Sequence, residues 1–428
     1  MLFRSNVVGN YALSMGLAAA AERSKLELFL GSYPITPASD ILHTLSAWKH
    51  LGIKTFQAED EIAGITSALG AAFSGSLAIT TTSGPGIALK GEAMGLAVIT
   101  ELPLVVINVQ RGGPSTGLPT KTEQSDLMQA MYGRNGEAPM PILASSTPGD
   151  CFYVAYEACR IAVKYMTPVM LLTDGYLANG SEPWIVPDIK ELPPIDVKFA
   201  DKSNIVDGQF MPYLRNKDTL ARPWAKPGTE NLEHRIGGIE KEDVTGNVNY
   251  DPENHHFMVK TRALKVQNIA NELPPTDVFG EKSGDLLILS WGGTQGACRS
   301  ATEALVNDGK KVSHIHLRWI NPLPNDLGEL LIKFKHVLIP EINLGQLIKI
   351  IRGNDSPKPI LISNFKLSDV QAEAILNMKL RALRKLEEKQ IKKEYDDLKK
   401  QKSEIKSLLK YKQKRWEKIK EEIKDRKS

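Results

Sequence analysis

Short apolar runs alternate with segments of helical spacing over the first 180 residues. The runs read LELFLG, SLAITTTS, LPLVVINVQ and PVMLLTD, and each has the length and residue types of a buried strand. Helices are predicted between them at residues 38–49, 60–73, 87–98 and 149–165. This alternation predicts a doubly wound α/β domain over residues 1–190, with a parallel sheet covered on both faces.

The pattern changes twice further along the chain. Residues 191–275 are rich in Pro, Gly, Asn and Asp and show little periodicity, so we expect an irregular connector there. Residues 276–352 return to strand–helix alternation, with DLLILSWGG, KVSHIHLRW and HVLIPE as strands and a helix at 294–307. We expect a second, smaller α/β domain that is truncated, since one more strand–helix unit would complete it.

The tail, residues 353–428, differs from the rest in pattern and in charge. It contains neither Gly nor Pro after residue 364, and apolar positions recur in steps of four and three at Ile391, Tyr395, Leu398, Lys402, Ile405 and Leu409. This heptad predicts a long helix or a coiled helical hairpin. Residues 364–428 carry a net charge of +9, which leaves −5 on the remainder, and such an asymmetry suggests a segment of different origin.

Composition excludes several classes of protein. No apolar run of about 18 residues exists, and the first residues lack the apolar core of a signal peptide, so we expect no membrane partner. The three cysteines do not form a CxxC pair, which argues against a zinc or iron–sulfur site on this chain, and no metal site is predicted. A reducing cytoplasm is the expected location.

Two glycine-containing loops are candidate ligand sites. In SGPG, which follows a strand, Ser83, Gly84 and Pro85 stand at a helix start, where backbone amides favour anions; the alternative is an ordinary tight turn. In QRGGPSTGLPT, Arg111 lies at the end of an apolar strand, where open α/β sheets place ligands. A guanidinium suits a carboxylate, although it also caps carbonyls in surface loops.

Two further residues are candidate site residues, and each also has an ordinary structural explanation. Thr36 stands between two prolines in YPITP, so its hydroxyl is held in a rigid loop; it equally fits a stiffened turn with a solvated side chain. Glu61 opens an Ala/Gly-rich helix in EDEIAGITSALGA. An acid in a first helical turn is often only a partner of the helix dipole.

At these residues the sequence resembles a known family. GSYPITPASD, QAEDEIAGITSALGAAFSG, TTTSGPGIALKGEAMGLA and NVQRGGPSTGLPTKTEQSDL, in this order, resemble the alpha subunit of 2-oxoacid:ferredoxin oxidoreductases, with the 2-oxoglutarate type most similar. The connector stretch RPWAKPGTENLEHRIGG and the later WGGTQGA and LIPEINLGQL fit the same family. The resemblance covers about residues 6–347.

The resemblance implies an enzyme subunit that is active only with a beta subunit. The family decarboxylates a 2-oxoacid oxidatively, makes an acyl-CoA and passes electrons to ferredoxin, and thiamine diphosphate carries the chemistry. The beta subunit is expected to hold Mg²⁺ and the [4Fe–4S] cluster, and this chain the pyrimidine-type domain. Implied partners are therefore the beta subunit, ferredoxin, coenzyme A and the 2-oxoacid. The best guess for the substrate is 2-oxoglutarate, and pyruvate or a branched-chain 2-oxoacid remains the alternative.

The resemblance also implies roles for the candidate residues. The family glutamate, with a glycine nine positions on, fits Glu61 and Gly70; it contacts the cofactor's aminopyrimidine and starts a proton relay, and Glu59 is the fallback. Ser83, Gly84 and Pro85 are implied to contact the cofactor. The remaining residues are implied to bind the 2-oxoacid: Thr36, Arg111, Thr116 and Thr120.

Both ends of the chain depart from the family. Many bacterial members carry a gamma-type domain ahead of this region, and residues 2–5 can be encoded by the end of a sequencing adapter, so we expect the chain to start inside a longer gene. Residues 348–428 resemble the helical region of a topoisomerase IV A subunit and lack its catalytic tyrosine motif, which suggests a chimera. The alternative function is a DNA-associated or partner-binding helical protein, although we expect no nucleic-acid partner.

Overall fold

The computed structural model describes residues 4–354 and, in the tail, residues 398–400, 402, 406, 413, 416, 417 and 420. The strands are β1 Arg4–Val8, β2 Leu28–Ser32, β3 Lys54–Gln57, β4 Leu77–Thr82, β5 Leu104–Gln110, β6 Ile142–Ala144, β7 Pro168–Asp174, β8 Ser181–Ile185, β9 Ile205–Val206, β10 Gln209–Phe210, β11 Gly284–Trp291, β12 Val312–Leu317, β13 Trp319–Asn321 and β14 Phe334–Leu338. The helices are α1 Gly9–Ser24, α2 Ser39–Ala47, α3 Glu61–Phe73, α4 Pro85–Leu89, α5 Gly91–Thr100, α6 Leu127–Tyr132, α7 Asp150–Tyr165, α8 Gly175–Asn179, α9 Pro252–Asn268, α10 Gln295–Asn307, α11 Leu327–Leu331 and α12 Gln346–Asn354.

A seven-stranded sheet forms the centre of the fold. Its strand order is β13-β6-β7-β5-β4-β2-β3, and β2 through β7 run parallel. From β2 the chain goes to β3 on one side and then returns to β4 on the other, so the order reverses between β2 and β4. This is the topological switch point at which α/β sheets bind ligands.

Alternate residues of each central strand face opposite layers of helices. Val105, Ile107 and Val109 of β5 join one core with the apolar faces of α1, α2 and α7. On the other side, α3 packs closely on β2, because a Cβ at Gly31 would lie 2.4 Å from the carbonyl oxygen of Gly64. The Ala/Gly-rich sequence of α3 therefore lets this helix approach the sheet. The predicted doubly wound α/β domain is confirmed.

Residues 276–352 form a second sheet and also extend the seven-stranded sheet. Strands β12, β11 and β14 form a parallel sheet in that order. Strand β13 instead pairs antiparallel with β6, with Trp319 opposite Leu143, so the main sheet is mixed. Residues 1–350 form one compact unit, and residues 351–428 form the other.

The prediction of an irregular connector over residues 191–275 is wrong at α9, a helix of 17 residues. Asp251 caps its first turn and Pro252 follows at the first helical position. The buried face contains Arg262 and Lys265 beside Met258, so no apolar stripe marks this helix in the sequence.

The tail predictions fall largely outside the described residues. This applies to the heptad positions Ile391, Tyr395, Ile405 and Leu409 and to the proposed topoisomerase-like segment between 355 and 397. Within the described part of the chain, no helix has the length and apolar character that crossing a bilayer demands.

A buried ion network ties the connector and α9 to the sheet domain. Glu101, 2% exposed, accepts hydrogen bonds from both terminal nitrogens of Arg215, at 2.5 and 2.6 Å, and from the ammonium of Lys265. Burial alone raises the pKa of Glu101, but the cations of Lys265 and Arg215 outweigh it and hold this pKa far below its usual range. The carboxylate is thus ionised in the folded chain.

We predict that Glu101→Ala lowers the free energy of unfolding by about 3–5 kcal/mol, because two buried cations lose their counter-ion. Urea unfolding at pH 7 measures the change. Glu303→Ala is the control, since its pair with Arg299 is exposed, and we expect a change within about 0.5 kcal/mol. The wild-type advantage should shrink progressively as the pH falls below 4.5, the ordinary value for the carboxyl, and vanish only near the much lower pKa of Glu101 in the folded chain. An equal loss in both variants would contradict the prediction.

Candidate functional site

The loops after β2, β3, β4 and β5 meet at the carboxyl edge of the sheet. At the switch point, the Tyr33 hydroxyl after β2 lies 2.8 Å from Thr82 Oγ1, the last residue of β4. Burial raises the pKa of the Tyr33 hydroxyl, and the neighbouring Glu61 carboxylate raises it further, so this group is neutral at physiological pH. The hydrogen bond between these two hydroxyls links the end of β2 to the end of β4, the strands between which the order of the sheet reverses.

Glu61 stands beside this pair at the start of α3. Asp60 caps the helix by accepting a 2.8 Å hydrogen bond from the amide of Ala63. A Cβ at Gly86 would lie 3.1 Å from Glu61 Cγ, 2.2 Å from the Tyr33 hydroxyl and 2.1 Å from Thr82 Oγ1. Glu61, Tyr33, Thr82 and Gly86 therefore form one tightly packed group, which we call the switch-point cluster.

Glu59, the alternative to Glu61, and Gly70, the glycine nine residues after Glu61, lie outside the switch-point cluster. Glu59 is exposed in the turn before α3, whereas Glu61 is half-buried against the cluster. Gly70, nine residues after Glu61, is exposed, and a Cβ there would meet nothing within 4 Å. The geometry favours Glu61 over Glu59, and it shows no steric requirement for glycine at position 70.

The SGPG loop lies next to Arg111. A Cβ at Gly84 would lie 3.5 Å from Arg111 Cγ, and Gly84 has a positive φ of 39° that favours glycine. Pro85 begins α4, a helix of five residues. Ser83 is buried, and its hydroxyl has no hydrogen-bond partner among the described residues. A buried polar atom without a partner is uncommon and requires an explanation.

Arg111 is buried at the end of β5 and reaches the YPITP loop. Its Nη1 donates a 2.6 Å hydrogen bond to the carbonyl oxygen of Thr36, while its Nε has no partner in the described chain. The Thr36 side chain is exposed. The structure therefore brings Thr36, Arg111 and Gly84 together around an unsatisfied guanidinium donor, which is the requirement for binding an anion.

Thr116 and Thr120 lie further out in the same loop. Both are exposed. Thr116 lies in the turn closed by the 2.8 Å hydrogen bond from the Leu118 amide to the carbonyl oxygen of Gly112, and Thr120 lies in the turn closed by the 3.0 Å bond from the Lys121 amide to the carbonyl oxygen of Leu118. Within residues 4–354, no hydrogen bond joins either threonine to Thr36, Glu61 or Arg111. Their substrate role thus stays a prediction that needs loop closure or a partner.

The far end of this loop is held by the second domain. The side chain of Gln346 donates to the carbonyl oxygen of Ser125 at 2.6 Å and accepts from the Met128 amide at 2.9 Å. Asn343 Nδ2 donates to the carbonyl oxygen of Gln124 at 2.8 Å. The segment NLGQ therefore positions the loop that begins at Arg111. The resemblance pointed to this segment, but its sequence alone carried no sign of the contacts.

Lys90 is a functional candidate that the sequence reasoning missed. It is completely buried, and its Nζ donates to the carbonyl oxygen of Glu61 at 2.8 Å and to Thr80 Oγ1 at 3.1 Å. Burial lowers the pKa of Lys90 to about 7, even though Glu61 and Asp60 act to raise it. The only signal in the sequence was a lysine among small and apolar residues after SGPG.

Comparison with known proteins places these residues within a matched region. Residues 20–251 match the family model described as pyruvate flavodoxin/ferredoxin oxidoreductase, thiamine diphosphate-binding. The chain is 54% identical over 348 residues to the 2-oxoglutarate oxidoreductase subunit KorA of Mycobacterium tuberculosis, covering 81% of this chain and 52% of that one. It is 32% identical to the 2-oxoglutarate synthase subunit KorA of Archaeoglobus fulgidus, covering 75% of this chain and 84% of that one.

A solved structure is similar as well. The 2-oxoglutarate:ferredoxin oxidoreductase from Magnetococcus marinus, with 2-oxoglutarate, coenzyme A and succinyl-CoA bound, has a TM-score of 0.77 and 36% identity over 82% of this chain and 60% of that one. The chain spans about half the length of the mycobacterial relative. These proteins are all oxidoreductases or their subunits, so they give no support to the DNA-associated alternative.

We predict that Gly86→Ala lowers the free energy of unfolding by about 1–3 kcal/mol, because the new methyl group forces Tyr33 and Thr82 apart. Gly70→Ala is the matched control and should raise it by about 0.5–1 kcal/mol, since an exposed helical glycine is replaced without a clash. Urea unfolding of both variants measures the difference. Equal effects would show that the switch-point cluster is loosely packed.

Proposed function

Because this chain belongs to the alpha subunits of 2-oxoacid:ferredoxin oxidoreductases, we propose that it converts a 2-oxoacid to an acyl-CoA together with a beta subunit. The preferred substrate is 2-oxoglutarate, since the mycobacterial and archaeal relatives and the solved structure described above are named for that acid. Ferredoxin receives the electrons, and coenzyme A receives the acyl group. The observation that carries the proposal is the switch-point cluster, which contains Glu61, with the buried Arg111 side chain next to Gly84.

The residues of the cluster fit thiamine diphosphate. The buried Ser83 hydroxyl lacks a partner in the described chain, and it directly follows Thr82 of the cluster, in which the Glu61 side chain is half-buried. A polar heterocycle would satisfy such donors and acceptors where a hydrocarbon would not. When bound, thiamine diphosphate supplies a nucleophilic thiazolium carbon and an electron sink.

Glu61 would hold the pyrimidine end of the cofactor. Its carboxylate accepts a hydrogen bond from a protonated ring nitrogen, and its place in the first turn of α3 keeps it next to Tyr33 and Gly86. Ser83, Gly84 and Pro85 would contact the same ring from the neighbouring loop. Arg111, with Thr36, would bind the substrate carboxylate, and Thr116 and Thr120 would line the outer end.

The remaining components belong to the partner in this proposal. The [4Fe–4S] cluster would lie on the beta subunit, because the three cysteines of this chain are single, buried and free. Mg²⁺ and the diphosphate site would lie on the same subunit, as the resemblance to the family implies. Buried free thiols also suit a reducing cytoplasm, where we place the complex. The tail after residue 347 is proposed to be a helical segment of different origin, with no part in this chemistry.

The proposal is tested by reconstitution of the chain with a beta subunit. We expect reduction of ferredoxin or a viologen dye that requires 2-oxoglutarate, coenzyme A and thiamine diphosphate together. A panel containing pyruvate and branched-chain 2-oxoacids identifies the substrate within the class. A complex that assembles and loads the cofactor but reduces the acceptor with none of these acids would refute the proposed activity.

We predict that Glu61→Gln lowers kcat by about 10²–10⁴-fold while the complex still assembles, since glutamine keeps the shape but cannot share a proton with the ring. Glu59→Gln is the matched control two residues away and should retain wild-type activity, because Glu59 is exposed. Steady-state kinetics and gel filtration measure the two effects. Wild-type turnover in Glu61→Gln would remove Glu61 from the mechanism.

We predict that Arg111→Ala raises the substrate KM by an amount equivalent to about 2–5 kcal/mol, because a buried cation that pairs with the substrate carboxylate is lost. Cofactor affinity should stay unchanged. Arg235→Ala, at an exposed arginine of the connector, is the control. An unchanged KM in Arg111→Ala, or an equal rise in both variants, would show that the substrate binds elsewhere.

A further inference from the structure

Lys90 lies between α4 and α5 and points into the sheet domain. Its ammonium contacts three groups: the carbonyl oxygen of Glu61 at 2.8 Å, Thr80 Oγ1 at 3.1 Å and the ring of Tyr33, whose centroid is 5.1 Å away. All three belong to the switch-point cluster or adjoin it. The contacts thus connect the first turn of α3 with β4 and with the loop after β2.

The burial of this cation is costly to the fold. Both of its hydrogen bonds go to uncharged oxygens, and the side chain is completely inaccessible to solvent. An ammonium without a paired carboxylate destabilises a folded chain, and an apolar side chain of the same length would fill the space without that cost. Unfavourable buried charges concentrate at functional sites, where they orient or polarise a neighbour.

We propose that Lys90 is a positioning residue that fixes Glu61 toward the aminopyrimidine by holding the carbonyl oxygen of Glu61. This inference rests on the proposed function and deepens it. Asp60 holds the amide of Ala63 from outside, and Lys90 holds the carbonyl of Glu61 from within, so the first turn of α3 is fixed from both sides. The Glu61 side chain extends from this fixed turn and packs against Tyr33 and Gly86.

The charge of Lys90 adds a dependence on pH. The groups that face it are the carboxylates of Glu61 and Asp60, the aromatic ring of Tyr33 and the hydroxyl of Thr80. Because the pKa of Lys90 is lowered to about 7, the ammonium predominates below this pH and the neutral amine above it. The amine still donates hydrogen bonds, but it no longer attracts Glu61. The positioning effect should therefore weaken as the pH rises through 7.

Hydrogen–deuterium exchange at C2 of the cofactor thiazolium measures this positioning without turnover. The complex of the full chain with its beta subunit is loaded with thiamine diphosphate, mixed with D₂O, quenched in acid and analysed by NMR. For Lys90→Met we expect exchange about 10- to 100-fold slower than wild type at pH 6.5, with unchanged cofactor affinity. The ratio of wild-type to Lys90→Met rates should fall between pH 6 and 8.5.

Two further variants separate the causes. Lys90→Gln keeps a hydrogen-bond donor without the charge. Its C2 exchange rate should therefore lie between those of Lys90→Met and wild type, and the side chain at position 90 should add no pH dependence near 7. Lys54→Met removes an exposed lysine from β3 and should match wild type. Thermal unfolding of the chain checks folding: Lys90→Met should melt at or above the wild-type temperature, because the buried charge is gone. A lower melting temperature would assign Lys90 a structural role and overturn the inference.

The remaining outcomes are distinguishable. If the wild-type complex exchanges C2 rapidly and Lys90→Met does so at the same rate, Lys90 does not position Glu61 and the proposed function stands. If C2 exchange is slower in Lys90→Met but the ratio of wild-type to variant rates is constant between pH 6 and 8.5, the inferred role of the Lys90 charge is wrong. If the wild-type complex neither binds thiamine diphosphate nor exchanges C2, the proposed function fails and this inference fails with it.

Discussion

The hydrogen bond between the Tyr33 hydroxyl and Thr82 joins the two strands at which the central sheet reverses its order. Gly86 has room for no side chain above this bond, and Glu61 packs against the same point from α3. The absence of a side chain at Gly86 therefore lets the loops after β2, β3 and β4 approach one another closely. Without that close approach, a carboxylate, an anion-binding loop and a guanidinium would be spread along the sheet edge and could not serve a single ligand.

Buried charges in this chain follow two different rules. Glu101 is fully paired with Arg215 and Lys265, which makes it a structural element that attaches the connector and α9 to the sheet domain. Lys90 and Arg111 are buried without a paired carboxylate at the switch point, and Arg222 and Lys241 of the connector likewise bond only to uncharged oxygens. Among these four cations, Arg111 alone has a buried nitrogen without a partner in the described residues, which directs attention to the carboxyl edge of the sheet.

Apolar runs and glycine turns are local signals, so the doubly wound fold, the loops with candidate residues and seven of the strands could be predicted. These strands are β2, β4, β5, β7, β11, β12 and β14. The helix Pro252–Asn268 could not, since its buried face is formed by Arg262 and Lys265, whose partners are distant in sequence. Strand β13 could not be predicted for a similar reason, because its pairing with β6 is a long-range contact. Lys90 lies among helical residues, where a lysine normally indicates a solvated face.

In our proposal, the switch-point cluster holds the pyrimidine end of thiamine diphosphate through Glu61. An electron cryomicroscopy map of the chain with its beta subunit and bound cofactor would locate the ring. We expect the Glu61 carboxylate about 2.7–3.2 Å from a pyrimidine ring nitrogen, with Tyr33 and Gly86 against the ring. A pyrimidine ring located away from Tyr33 and Gly86, or a Glu61 side chain turned toward solvent in the loaded complex, would contradict it.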